Sequence, residues 1–204
     1  MVGASIIGPT RAIITNAILD LTNRGEIVGD VLVNNNGASV IVNKGAILGQ
    51  VLLLGGGNDT FNGTGGTSGT ITATGNDKIM LGKGSAQVHV GGGSDIITAG
   101  PGHDRFIFDS ALTGQLEQIK KFTHGHDTIV LSLSDFPMLG ALGQLNTGHF
   151  DFGHATKAHP EIIYNQGNGF LSYDANGNAP GGLHHFATLL GAPTISHADF
   201  ILEA

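Results

Sequence analysis

The sequence contains no cysteine and no tryptophan, only six prolines, and nine basic residues against sixteen acidic ones. Without cysteine there is no disulfide framework, no thiolate metal site and no thiol nucleophile. That absence suits a protein exported unfolded, and it suits many cytosolic proteins equally. The formal net charge is -7, and the few Lys and Arg form no cluster. A nucleic-acid or anionic-membrane surface is therefore disfavoured, and a cation is the natural counter-ion. No apolar run is long enough to span a bilayer. The stretch from Met1 to Leu19 is partly apolar, but Arg11 interrupts it and no charged segment precedes it, so it does not read as a Sec leader.

What the chain has in abundance is glycine, 34 of 204 residues. These lack the every-third-residue spacing of collagen, so they signal many tight turns. A chain of this length can bury a core in one elongated domain or two small ones.

Two internal repeats set the architecture. Asn23-Arg24-Gly25-Glu26-Ile27-Val28-Gly29-Asp30-Val31-Leu32-Val33 recurs twenty residues later as Asn43-Lys44-Gly45-Ala46-Ile47-Leu48-Gly49-Gln50-Val51-Leu52-Leu53. Short β-branched runs at this period, separated by Gly and Asn turns, mark a parallel solenoid. Residues 1–53 are expected to form β-solenoid coils that bind no metal. From Leu54 the texture changes to glycine-rich nonapeptides over residues 54–108, in which an Asp precedes an apolar residue by two. Asp59 precedes Phe61, Asp77 precedes Ile79, Asp95 precedes Ile97 and Asp104 precedes Phe106. Gly57, Gly75, Gly93 and Gly102 each stand two residues before their Asp, and the Asp spacings are 18, 18 and 9. The nine-residue frame puts Ser68 and Ala86 where further Asp would stand. A lone Asp among glycines is an ordinary turn former; a phased set with an apolar residue at a fixed offset is not.

Gly55-Gly56-Gly57-Asn58-Asp59-Thr60-Phe61, Gly91-Gly92-Gly93-Ser94-Asp95-Ile96-Ile97 and Gly100-Pro101-Gly102-His103-Asp104-Arg105-Phe106 resemble the RTX (repeats-in-toxin) nonapeptide. The resemblance implies a parallel β-roll in which each repeat makes half a turn. It also implies calcium between loops of successive turns, held by Asp carboxylates and backbone carbonyls. Calcium takes six to eight oxygens at roughly 2.3–2.6 Å, which carboxylates and the exposed carbonyls of Gly loops can supply. The implied ligands are Asp59, Asp77, Asp95 and Asp104 with the loops of Gly55, Gly57, Gly75, Gly91, Gly93 and Gly102. Two half-turns of nine stack Asp59, Asp77 and Asp95 on one edge, which gives about two ions. The opposite edge, with Ser68, Ala86 and Asp104, is expected to hold at most one.

Residues 109–204 read as a capping and secretion-signal region. Leu116, Ile119 and Lys120 are spaced for one short helix within Leu112 to Lys121. Ile119 to Ser132 resembles the segment that caps the roll in serralysin-type domains, hiding its last strand edge. That resemblance makes Asp127 a candidate ligand and Asp109 a weaker one. Asp174-Ala175-Asn176-Gly177-Asn178 has the look of a calcium loop but lacks the Glu an EF-hand requires, and a strand turning into a hairpin accounts for it. Ile195 to Leu202 is similar to the C-terminal end of type I secretion substrates, and it reads equally as a last cap strand.

Ten histidines concentrate in the second half, without the Glu and helical spacing of a zinc protease. No nucleophile elbow, phosphate loop or dinucleotide fingerprint is present. The expected fold is all-β, a parallel β-helix or β-roll solenoid with a β-rich cap containing a short helix. The expected protein is not an enzyme: a secreted, extracellular calcium-binding chain that folds on meeting calcium after export through a type I ABC transporter. A secretion and folding module of a larger exoenzyme, or a surface adhesin with a cell-surface or matrix polysaccharide as partner, is the alternative. Ice binding finds little support, since Thr70-Ile71-Thr72-Ala73-Thr74 is not repeated between turns.

Overall fold

The computed structural model describes residues 5–204, with side chains from residue 12 onward. Met1 to Ala4, part of the stretch read for a leader, lie outside the described residues. The chain winds into a parallel β-solenoid of about six turns.

The twenty-residue coils form three short parallel ladders each. Asp20–Asn23, Val40–Asn43 and Thr60–Asn62 make one. The strand Glu26–Asn34 breaks at Gly29, whose φ is 109°, and so contributes to two others. Its start pairs with Ala46–Ile47, which in turn pairs with Thr67–Ser68. Its end pairs with Val51–Leu54, which pairs with Thr70–Ala73. Once the repeat shortens to two half-turns of nine, the middle ladder vanishes. Lys78–Met80 and Ile96–Thr98 carry one face onward, and Gln87–Val90 and Arg105–Phe108 the other. The expected phase slips by one at this junction. Val88 lies opposite Ile71, so Gly69 rather than Ser68 precedes Ala86 in its column, and Ser68 belongs to the middle ladder that ends there.

Each coil contributes apolar side chains from both main faces to a continuous interior. Ile41, Phe61, Ile79, Ile97 and Ile119 stack in register on one face. Val31, Val51, Ile71, Val88, Phe106 and Ile129 do so on the other. All eleven are essentially inaccessible to solvent, and burying each contributes about 1.5–3 kcal/mol.

The solenoid runs past residue 108. Glu117–Lys120 and Thr128–Ser132 stack on the preceding coil to make a further turn. The helix expected within Leu112 to Lys121 does not form. Glu117–Lys120 alternates buried and exposed, because the open edge of Ile96–Thr98 needs main-chain partners, and that demand outweighs a weak local helical spacing. Among the described residues the helices are two three-residue 3-10 turns, Thr147–His149 and His197–Asp199. The segment 119–132 is thus the last regular coil and not its cover. Leu183–Leu190 and Phe200–Glu203 cover it, adding in parallel to Glu117–Lys120 and Thr128–Ser132. Phe170–Asp174 then pairs antiparallel with Leu183–Leu190, so the Asp174 segment does form a hairpin. Phe136, Tyr173 and Phe186 pack edge to face inside the cap, and the Tyr173 and Tyr164 hydroxyls donate to the carbonyls of Pro137 and Pro193 at 2.6 Å.

The loops on one edge stack through glycine on glycine. A Cβ on Gly75 would stand 2.0 Å from the carbonyl oxygen of Gly57, and one on Gly93 only 1.6 Å from that of Gly75. Both residues also have positive φ, 124° and 110°. Gly93→Ala is expected to destabilise the protein by about 2–4 kcal/mol in urea unfolding. Gly92→Ala, whose Cβ would meet nothing closer than 3.9 Å, is expected to stay within about 0.5 kcal/mol. Equal effects at the two positions would contradict this account of the stacking.

Candidate metal centre

At the start of each strand the chain is still turning, and its amide cannot yet join the main-chain ladder. A carboxylate from the next coil takes it. The Ser39 amide donates to Asp59 Oδ1 at 2.6 Å, the Asp59 amide to Asp77 Oδ1 at 2.7 Å, and the Asp77 amide to Asp95 Oδ1 at 2.8 Å. One residue further on the ladder resumes, with the Lys78 amide donating to the Asp59 carbonyl and the Ile96 amide to the Asp77 carbonyl. Asp59, Asp77 and Asp95 are thereby fixed in one buried column, each no more than 2% exposed, as the eighteen-residue spacing implied.

The column has a fourth carboxylate. Glu117 Oε2 accepts the Asp95 amide at 2.8 Å across 22 residues, and Glu117 itself is 4% exposed. Its spacing breaks the nine-residue frame, so the repeat does not point to it. The signal that could have found it is Ile119, an apolar residue two positions on.

One oxygen per carboxylate is spent on the amide, and the other is the informative one. Asp59 Oδ2 and Asp77 Oδ2 are buried and take no hydrogen bond. Burial pushes Asp59 up from its ordinary value. Asp77 is pushed up to about 7 by burial, with the neighbouring Asp95 and Asp59 charges adding to it. Burial raises Asp95 to about 6 and Glu117 to about 8, the latter also facing Asp95 and Asp77.

The opposite edge is built differently. Asp104 Oδ1 accepts the Ala86 amide at 3.0 Å and its Oδ2 the Gly100 amide at 2.8 Å. Asp127 Oδ1 accepts the Asp104 amide at 3.1 Å and its Oδ2 the Thr123 amide at 2.8 Å. Every oxygen there already has a main-chain donor, so this pair is stitched together without help. Asp109 joins neither column: it pairs on the surface with His89 Nδ1 at 2.7 Å. Asp174 Oδ1 accepts the Asn176 amide at 3.3 Å and lies in the cap, away from both columns.

One coil earlier the register position of Asp59 is taken by Ser39, whose hydroxyl accepts the Leu19 amide at 3.0 Å, and the far end of those strands is closed by asparagine. Asn23 Nδ2 donates to Asn43 Oδ1 at 2.8 Å, and Asn43 Nδ2 to the Thr67 carbonyl at 2.8 Å. An amide side chain supplies both donor and acceptor, so nothing there is left unpaired.

Among the described residues no three His, Cys, Asp or Glu side chains converge on a point. The histidines are spent singly. His124 Nδ1 lies 2.8 Å from the buried Asp199 carboxylate, His103 and His126 stack with ring centres 3.8 Å apart, and His149 Nδ1 faces the Pro160 carbonyl at 2.7 Å. Asp199 was not anticipated; it also accepts the Gly125 and Ser196 amides and so ties the last coil to the final strand.

The donor set on the Asp59 edge is two carboxylate oxygens without partners, beside the loops of Gly55, Gly57, Gly75, Gly91 and Gly93, each packed against a main-chain carbonyl of the coil before it. Hard oxygen donors of this kind fit calcium. Gly102 belongs to the opposite edge, where a Cβ would meet the Gly84 carbonyl at 2.4 Å. Compared by sequence, the chain matches no protein-family profile and no curated protein.

The raised carboxylates fix a pH dependence for the metal-free chain. Below about pH 4 the folded and unfolded chains are both protonated and the column costs nothing. As pH rises from about 4 to 8, the unfolded chain ionises first while Asp77, Asp95 and Glu117 hold their protons until about 7, 6 and 8. The folded state then binds more protons, and its stability falls with rising pH. The β signal in far-UV circular dichroism, followed in chelator from pH 4 to 8, should fall accordingly. Asp77→Asn, which keeps the acceptor for the Asp59 amide and removes the charge, should flatten it and stabilise the chelated protein at pH 8 by about 1–3 kcal/mol. A metal-free stability that rises over this range would contradict the burial of these groups.

Proposed function

We propose that the chain is a calcium-dependent folding solenoid, held open inside the cell and closed outside it. The observation that carries this reading is the pair of buried, unpartnered oxygens, Asp59 Oδ2 and Asp77 Oδ2, in a column of carboxylates repeated every turn. A buried acceptor without a partner costs about 1–3 kcal/mol, and more when charged. Asp59, Asp77 and Asp95 with their glycine loops would hold the ion, which would supply the missing positive charge. Without it the carboxylates repel one another, and the glycine loops must give up much backbone freedom with little in return. Whatever binds only the folded column stabilises folding by the same free energy.

The resemblance to RTX nonapeptides and to a type I secretion signal extends the reading to export. Phe200 and Leu202 of that signal are buried in the folded protein. A transporter would therefore have to read them before the chain folds, which a calcium-poor interior permits.

Calcium titration followed by far-UV circular dichroism, with magnesium as control, tests the proposal. The expected result is a cooperative gain of β signal with a midpoint of about 10⁻⁴ to 10⁻³ M calcium, the range of extracellular sites. The double variant Asp59→Asn, Asp77→Asn should shift that midpoint at least about tenfold or abolish it. Identical spectra in chelator and in calcium would refute calcium-driven folding.

A further inference from the structure

The coil that ends the column departs from its predecessors. Successive carboxylates stand 18 residues apart until Asp95, and Glu117 follows at 22. The added residues lengthen the loop 109–116, which lies over the glycine turn of residues 91–93. Between the two loops is a small, partly open cavity of about 20 Å³, lined on one side by Gly91, Ser110, Thr113, Gln115 and Glu117 and on the other by apolar side chains, Phe186 among them. That volume suffices for a single ion or a single water.

Glu117 reaches this cavity as a buried carboxylate with one oxygen in use. Its Oε2 accepts the Asp95 amide, and no described group donates to Oε1. Ser110 turns its hydroxyl proton toward the carbonyls of Val90 and Gly91, at 3.1 and 3.2 Å, which leaves its oxygen lone pairs free. The Gln115 side-chain oxygen stands 3.9 Å from where a Cβ on Gly92 would be. The polar side thus carries residues with a carboxylate, a hydroxyl and a side-chain amide, and the lining holds no positively charged side chain. Such a set favours a hard divalent cation.

We propose that this cavity is a further calcium site, with Glu117 as its anionic ligand and the loop 109–116 as its lid, closing the carboxylate column at its C-terminal end. This rests on the reading that the Asp59–Asp95 column takes calcium. It adds a site that no nonapeptide encodes, and it gives the longer loop a purpose, since a glutamate reaches one methylene further than the aspartates before it.

Calcium ions bound to the full-length chain, counted by native mass spectrometry at saturating calcium, test it. Glu117→Gln keeps the acceptor for the Asp95 amide and removes the charge, and it should bind one ion fewer than the wild type. A wild-type chain that binds calcium and an E117Q chain with an undiminished count would overturn this proposal alone, leaving the cavity to a water. A wild-type chain that binds no calcium overturns both readings. Should E117Q fail to fold, hydrogen exchange on the wild type decides. Calcium should protect the amides of residues 110–116 by at least about tenfold, and unchanged exchange there, with protection elsewhere on the edge, would overturn the lid.

Discussion

Each coil on the acidic edge depends on a carboxylate accepting the amide of the coil before it. A main-chain donor at the mouth of a turn has no ladder partner and cannot be buried unpaired. The bond from the Asp59 amide to Asp77 solves that problem and creates another, since the second carboxylate oxygen is buried with it. Ser39, at the same register one coil earlier, accepts the Leu19 amide through a hydroxyl and shows that the turn can be closed without this side effect. The opposite edge shows a third solution, in which Asp104 and Asp127 draw a second amide from their own loops. One strand-start requirement is met in three ways, and only one of them leaves an oxygen without a partner.

The chain therefore divides by what each part needs. The twenty-residue coils have three ladders and self-sufficient amide side chains, and they need only their apolar interior. The eighteen-residue coils are thinner, with two ladders and glycine loops in contact, and they carry the uncompensated acid. The carboxylate column starts on the last twenty-residue step, from Ser39 to Asp59, and the first eighteen-residue step follows as the middle ladder ends at Thr67–Ser68.

Much of this was legible in the sequence because a solenoid repeats its local requirements. The period of twenty, the period of nine and the column of Asp59, Asp77 and Asp95 are each one steric rule written several times. What was not legible was written only once. The slip from Ser68 to Gly69 follows from losing a ladder, which no local pattern announces. Glu117 was hidden by four added residues. The strand Glu117–Lys120 carried a helical spacing that the neighbouring strand edge overrode. Of the cover of the last coil, the final strand was legible at Ile195 to Leu202 and forms as Phe200–Glu203, while the pairing of Leu183–Leu190 with Glu117–Lys120 spans a distance that leaves no trace near either partner.

That last pairing has a kinetic side. Neighbouring coils join residues some twenty positions apart, whereas seventy positions separate Ile119 from Leu189, its partner across the closing strands. Loop closure over the longer span is slower. On that ground the stack of coils is expected to form with its terminal edge bare before its own lid arrives. During that interval Glu117–Lys120 and Thr128–Ser132 are templates open to any strand, including one from another copy. The length of the wait relative to the encounter time between molecules decides whether the chain ends as a monomer or as the first link of a fibre.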